Sequence, residues 1–272
     1  MATIELTPST GSSKPPLPPQ NLAFPAWEDD WRDQLHPSSP ELEQEQGELW
    51  RAFEDLAEDL GVSDEQMKVV VELTEQMNKA HQPLARHSLN VGFLAVEAAD
   101  FLGVDRRKAL LGGELHDTGK MTVDPKTLKK TTKYSFADFR EMNKHSKAGH
   151  DILSGYNVLP EELPLVVGTH HKRQLNNANG MDEKELTIEA CRLRDAITIA
   201  DFIDSSFRSD GHADDISSNN QKARILEHIS YVLDQDIYNN VENKAVLAEG
   251  IMNTLLDTRV SLENLSELAY AY

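Results

Sequence analysis

Leu115-His116-Asp117-Thr118-Gly119-Lys120 sets a neutral nitrogen ligand directly beside a carboxylate that can bridge two cations. Working outward, four further histidines and one aspartate recur at wide intervals, each within apolar, helix-forming sequence: His87, His145, His170, His171 and Asp201. Upstream, Leu84, His87, Val91, Leu94 and Ala98 fall at i, i+3, i+7, i+10 and i+14, so His87 lies on the buried stripe of a helix. Downstream, Asp201 sits within Ala196-Ile197-Thr198-Ile199-Ala200-Asp201-Phe202-Ile203. Burying an unpaired carboxylate there would cost on the order of several kcal/mol, so Asp201 needs a partner. Taken singly, a histidine on an apolar face is most often a satisfied core residue. Five such histidines and two aspartates together are simplest to bury around shared divalent cations.

The rest of the chain reads as helices. From Thr7 to Pro40 prolines and serines are dense and no hydrophobic period persists, which predicts a flexible segment over 1–40; Trp27 and Trp31, four apart, are expected to pin one of its turns. Leu49, Phe53, Leu56 and Leu60 then mark a helix ending at Gly61. Ser63-Asp64-Glu65-Gln66 reads as a capping box for the next, through Val70, Leu73 and Met77. Pro83 opens the helix of His87, and the helix after Gly103 runs to His116 and Asp117, where Gly119 is expected to let the backbone turn. Ser135 is read as starting one helix that puts Met142, His145, Gly149 and Ile152 on a face, with Gly149 permitting close approach of a neighbour. A short helix carries Leu163, Val166 and Val167 up to His170 and His171. A long helix is expected from about Lys184, then a loop near 210–215, then two or three amphipathic helices. The expected divisions are 1–40, 41–82, a metal-binding domain over 83–215, and C-terminal helices over 216–272. His36, His81, His150, His212 and His228 lack the apolar context and are read as surface residues.

Composition narrows the function. There are 27 Lys and Arg against 46 Asp and Glu, a net charge of −19, which repels an extended nucleic-acid backbone. Cys191 is the single cysteine, so neither an internal disulfide nor a thiolate metal cluster can form. Residues 1–10 lack a basic stretch followed by a long apolar run, and no later stretch approaches membrane-spanning length. A soluble, cytoplasmic protein without a membrane partner is therefore expected.

The ordered set His87, His116-Asp117 and Asp201 resembles the signature of the HD superfamily of metal-dependent phosphohydrolases. The additional His145 and His170-His171 resemble its dinuclear branch, the HD-GYP cyclic-dinucleotide phosphodiesterases. The similarity runs from about Ala85 to Phe207 and includes His116 to Lys120, the connector to Lys130, and His145 to Leu153. It implies an all-α helical bundle in which His87, His116, Asp117 and Asp201 hold one metal, while Asp117 bridges to a second held by His145, His170 and His171. It also implies that Lys120 contacts substrate phosphate or assists the leaving group. Histidine and carboxylate ligands suit iron or manganese, with nickel, cobalt, zinc or magnesium as alternatives.

The chain departs from the HD-GYP pattern in four respects. Lys172-Arg173-Gln174-Leu175 stands where that branch has Glu-Arg after the paired histidines, and the Gly-Tyr-Pro loop is missing. Phe207-Arg208-Ser209-Asp210 replaces its Arg-Pro-Tyr-Arg segment. Pro83 stands where some members carry an extra glutamate ligand, which argues against a third metal. Two dications less the charges of Asp117 and Asp201 leave a local excess that would attract phosphate despite the acidic chain, with Asp117 and Lys120 as the catalytic pair and Arg173 a further phosphate contact. The expected ligand is a phosphorylated small molecule or (cyclic) nucleotide. Two alternatives stay open: a di-iron oxygenase on the same scaffold, and a non-catalytic signalling module. The flanking helices are expected to complete the core or to serve a homodimer or a signalling partner protein.

Overall fold

A computed structural model describes Ser39, Leu42, residues 46–173, 181, 182, 184–207 and 218–268. Every regular element among them is helical. Residues 1–38, with Trp27, Trp31 and His36, lie outside the described residues, as do His212 and the expected 210–215 loop. Ser39, expected within the flexible lead-in, is buried and donates a 2.5 Å hydrogen bond to Glu75 Oε1.

Helix α1 (Glu48–Asp59) buries Leu49, Trp50, Phe53 and Ala57. Helix α2 (Asp64–Ala80) starts at the expected capping box. Gln66 N donates to Ser63 Oγ and Ser63 N donates back to Gln66 Oε1, satisfying two amides that the helix cannot. Helix α3 (Gln82–Leu102) has proline in its first turn and is buried on nearly every face. It is the axis of the bundle. Helix α4 (Arg106–Leu115) and helix α9 (Ile188–Phe207) pack along it, and α11 (Lys244–Leu268) packs on its outer side beside α10 (Ser218–Leu233). The approach of α3 and α4 is close because both carry glycine at the crossing: a Cβ on Gly113 would stand 2.7 Å from Gly92 Cα.

Helix α4 ends at Leu115, so His116 and Asp117 lie at its mouth, and a 3-10 turn (Thr118–Thr122) follows. After the short α5 (Pro125–Leu128) comes a correction. The helix expected to run unbroken from Ser135 to Ile152 is two: α6 (Phe136–Met142), which buries no residue, and α7 (His145–Leu153), which buries His145, Ser146, Gly149 and Leu153. Periodicity joined them because Met142 and His145 are three apart. At the break, the Met142 carbonyl accepts from His145 Nδ1 at 2.6 Å. Helix α7 packs on the 3-10 turn and on α8 (Leu163–Thr169), which delivers His170 and His171. Helix α9 begins at Ile188, four residues after the expected start.

Gly119 is also revised. Its φ is not among the positive ones, so the residue is required for space. A Cβ there would lie 1.8 Å from the His145 carbonyl oxygen and 2.5 Å from Gly149 N. Gly149 behaves as expected, since its own Cβ would meet Val167 Cγ1 at 3.0 Å and Gly119 N at 3.4 Å. The two glycines thus bring the start of α7 against the turn that follows Asp117.

Candidate metal centre

Five segments converge: α3 brings His87, the end of α4 brings His116 and Asp117, α7 brings His145, the end of α8 brings His170 and His171, and α9 brings Asp201. His116, Asp117 and His170 are fully buried and the other four nearly so. The two oxygens of Asp117 face different histidines. Oδ2 lies 3.5 Å from His87 Nε2 and 3.3 Å from His116 Nε2, whereas Oδ1 lies 3.4 Å from His145 Nε2. Asp201 Oδ1 closes the first group, 3.1 Å from His87 Nε2 and 3.8 Å from His116 Nε2; its Oδ2 is 3.9 Å from His171 Nδ1. In the second group His145 Nε2 stands 3.0 Å from His171 Nε2 and 3.5 Å from His170 Nε2. Three ligand sets are close enough to share an ion: His87, His116 and Asp201; His145, His170 and His171; and His116, Asp117 and His170.

Four rings are locked from behind. His87 Nδ1 donates to Asp204 Oδ2 (2.6 Å), His116 Nδ1 to the Gly113 carbonyl (2.7 Å), His145 Nδ1 to Met142 and His170 Nδ1 to Val167 (2.6 Å each). A histidine that donates through Nδ1 turns its Nε2 lone pair inward, as a ligand must. Thr198 on α9 adds to this frame with its hydroxyl 2.5 Å from the His170 carbonyl.

The electrostatics agree. Burial pushes His145 down to about 3, against the pull of the Asp117 charge, and burial likewise lowers His170 and His171, so these three are neutral donors near neutral pH. Burial alone would raise both carboxyls. For Asp117 the charges of His116 and Lys120 outweigh it, and for Asp201 the adjacent His87 ring and the His116 charge do, so both are held well below the usual carboxylate range. Burial opposes the charged form of His116, yet Asp117 and Asp201 lift its pKa overall.

The donors fit divalent cations. His87 Nε2, His116 Nε2, Asp117 Oδ1 and His171 Nδ1 are buried and make no hydrogen bond although they face one another. Such atoms are costly unless a shared partner takes their lone pairs. Nitrogen separations of 3.0 and 3.5 Å also suit two ligands about 2.1 Å from one ion.

Lys120, on the 3-10 turn, pairs through Nζ with Asp117 Oδ2 and keeps its side chain partly exposed. Arg173 is half-buried, and its charge acts on the Asp195 carboxyl, which burial raises and Arg194 lowers. Of the histidines read as surface, His150 is partly exposed beside Asp151 and His81 lies between α2 and α3, half-buried. His228 is a correction. It is fully buried on α10 and stacked on Phe202, its ring 3.9 Å away at 14°. Sequence reasoning missed it because its burial depends on where α10 docks. Asp204 was also left without a role. Its place one turn beyond Asp201 on the same face was the available signal.

Residues 84–196 match the HD domain family. The match stops short of Asp201, and nothing in it singles out the HD-GYP branch. No curated protein and no solved structure matches the chain. Among the described residues no helix is long and apolar enough to cross a membrane.

Proposed function

We propose that this protein hydrolyses a phosphoester of a small molecule or nucleotide at a dinuclear metal centre, with His87, His116 and Asp201 as one ligand group, His145, His170 and His171 as the other, and Asp117 between them. The observation that carries the reading is the split of Asp117, one oxygen toward each histidine group, with Lys120 at its solvent edge. When bound, two divalent cations supply Lewis-acid polarisation of a phosphoryl group and lower the pKa of water. Iron or manganese suits the ligands best.

The chain's own residues supply the rest. The Nδ1 hydrogen bonds fix ring orientation, so ligand geometry is in place before substrate arrives. The core around the cluster excludes bulk water and strengthens every charge interaction within it. Lys120 reaches from Asp117 toward solvent and would neutralise a phosphate oxygen or the leaving group, with Arg173 as the secondary cation. Charge is also distributed to suit an anion. Over residues 120–147, the excursion that leaves at Lys120 and returns at His145, eight Lys and Arg stand against three Asp and Glu, although the chain as a whole carries −19.

The test is metal-loaded protein incubated with a generic phosphodiester and with a nucleotide panel. Product release that disappears in His116→Ala and Asp117→Ala is the expected result. Turnover that survives both substitutions would overturn the reading, and substrate-dependent oxygen uptake without phosphate release would replace it with the oxygenase.

A further inference from the structure

Asp204 is nearly inaccessible, and three side chains from two other helices converge on it. Its Oδ2 accepts from His87 Nδ1, its Oδ1 accepts from Asn90 Nδ2 at 2.9 Å, and Arg259 Nε lies 2.6 Å from the same Oδ1. Arg259 belongs to α11, outside the segment that matches the HD domain. Its guanidinium lies 6.0 Å over the Phe207 ring, and its other arm reaches Glu263 at the surface at 3.1 Å.

We propose that Arg259 is a positioning residue of the metal centre, holding Asp204 so that the His87 ring presents Nε2 to the ion, and that the C-terminal helix is thereby part of the metal-binding unit. The inference rests on the reading that His87, His116 and Asp201 hold a cation. A buried carboxylate needs a compensating charge as well as hydrogen bonds. His87 and Asn90 supply two hydrogen bonds, and Arg259 supplies a full positive charge. With that charge in place Asp204 accepts from His87 Nδ1 in one orientation, which orients the ring and makes Nε2 a better donor. Remove it, and the carboxylate is left with excess negative charge, and the His87 ring is held less firmly in the orientation that turns Nε2 inward. The second ligand group has no such dependence, since His145 and His170 are braced by the carbonyls of Met142 and Val167.

The experiment is a Mn2+ titration of the full-length, chelator-stripped chain against a chromogenic chelator, comparing wild type with Arg259→Met, Arg259→Lys, Asp204→Asn and Glu263→Gln. Two ions per chain are expected for wild type. Arg259→Met should weaken one of the two by about 10–100-fold, the usual cost of losing such an outer partner, and leave the other unchanged. Arg259→Lys should recover part of the loss, and Glu263→Gln should bind as wild type. Equal affinity in wild type and Arg259→Met, or equal weakening of both ions, would overturn the inference while leaving the dinuclear reading intact. If Arg259→Met does not fold, the near-isosteric Asp204→Asn decides: it must weaken the same single ion, and two undisturbed ions there refute the inference. A wild-type chain that takes up no Mn2+ removes the metal reading and the inference with it.

Discussion

Gly119 and His145 approach so closely that a single Cβ on the glycine would stand 1.8 Å from the histidine's carbonyl oxygen. That contact joins the turn after Asp117 to the first residue of α7, so it sets the distance between the two ligand groups. Gly119→Ala must push backbone against backbone, which no rotamer change relieves. Overpacking of this kind costs about 1–3 kcal/mol. We expect a lower unfolding midpoint together with loss of metal binding, read by calorimetry and by metal analysis of the purified chain. Full metal content in Gly119→Ala would mean that the two groups need no such spacing.

Lys120 separates metal binding from substrate binding. Its ammonium pairs with Asp117 from the solvent edge and is not one of the inward-facing donors. Lys120→Met keeps the length of the side chain and removes the charge. Metal content should stay at the wild-type level, while kcat/KM for a phosphodiester falls on the order of 100-fold, as when one preorganised charge is taken from a developing oxyanion. Unchanged kinetics would leave Lys120 as a cation that merely balances Asp117.

Local rules made much of this fold legible, and tertiary contacts account for what was not. Ser63 with Gln66 marked the start of α2 because a capping box is satisfied within four residues. His87 and Asp201 were visible because each interrupts an apolar stripe. The break between α6 and α7 was not, because the Met142 carbonyl accepts from a side chain, and a hydrophobic period cannot record that. The use of Gly119 was misjudged for a related reason: sequence shows that a Cβ is missing, and only packing shows what would have met it. Arg259 carries no local sequence signal. Its partner Asp204 lies in another helix, and nothing local links the two.

Glu114 gives a pH signature of opposite sign to the usual carboxylate. It is fully buried, with Thr74 Oγ1 2.6 Å from its Oε1, and burial raises its pKa well above the ordinary carboxyl value, the Thr74 hydrogen bond offsetting only part of this. The folded state therefore holds this proton at pH values where the unfolded chain has released it. The associated stability is fully present below the unfolded pKa of 4.5 and declines as pH rises toward the folded pKa. Glu114→Gln mimics the protonated form and removes that decline. Denaturant melts between pH 5 and 8 should show the variant gaining on wild type as pH increases. A constant difference across that range would show that Glu114 is ionised in the fold.

His228 produces a loss on the acid side. Burial against Phe202 pushes its pKa down from 6.5 to about 4, opposed by the Asp201 charge and a backbone hydrogen bond at Thr198. Between those values the unfolded chain binds a proton that the folded chain refuses. Stability from this residue is thus complete above pH 6.5 and is lost as pH falls, levelling off near pH 4. A shift of this size corresponds to roughly 3 kcal/mol at full effect. His145 titrates in an overlapping range, with its pKa lowered to about 3, so wild type alone cannot apportion the loss. The difference between wild type and His228→Gln, both stripped of metal, isolates it. That difference should shrink in favour of the variant between pH 6.5 and 4, and a difference independent of pH would place His228 in contact with water.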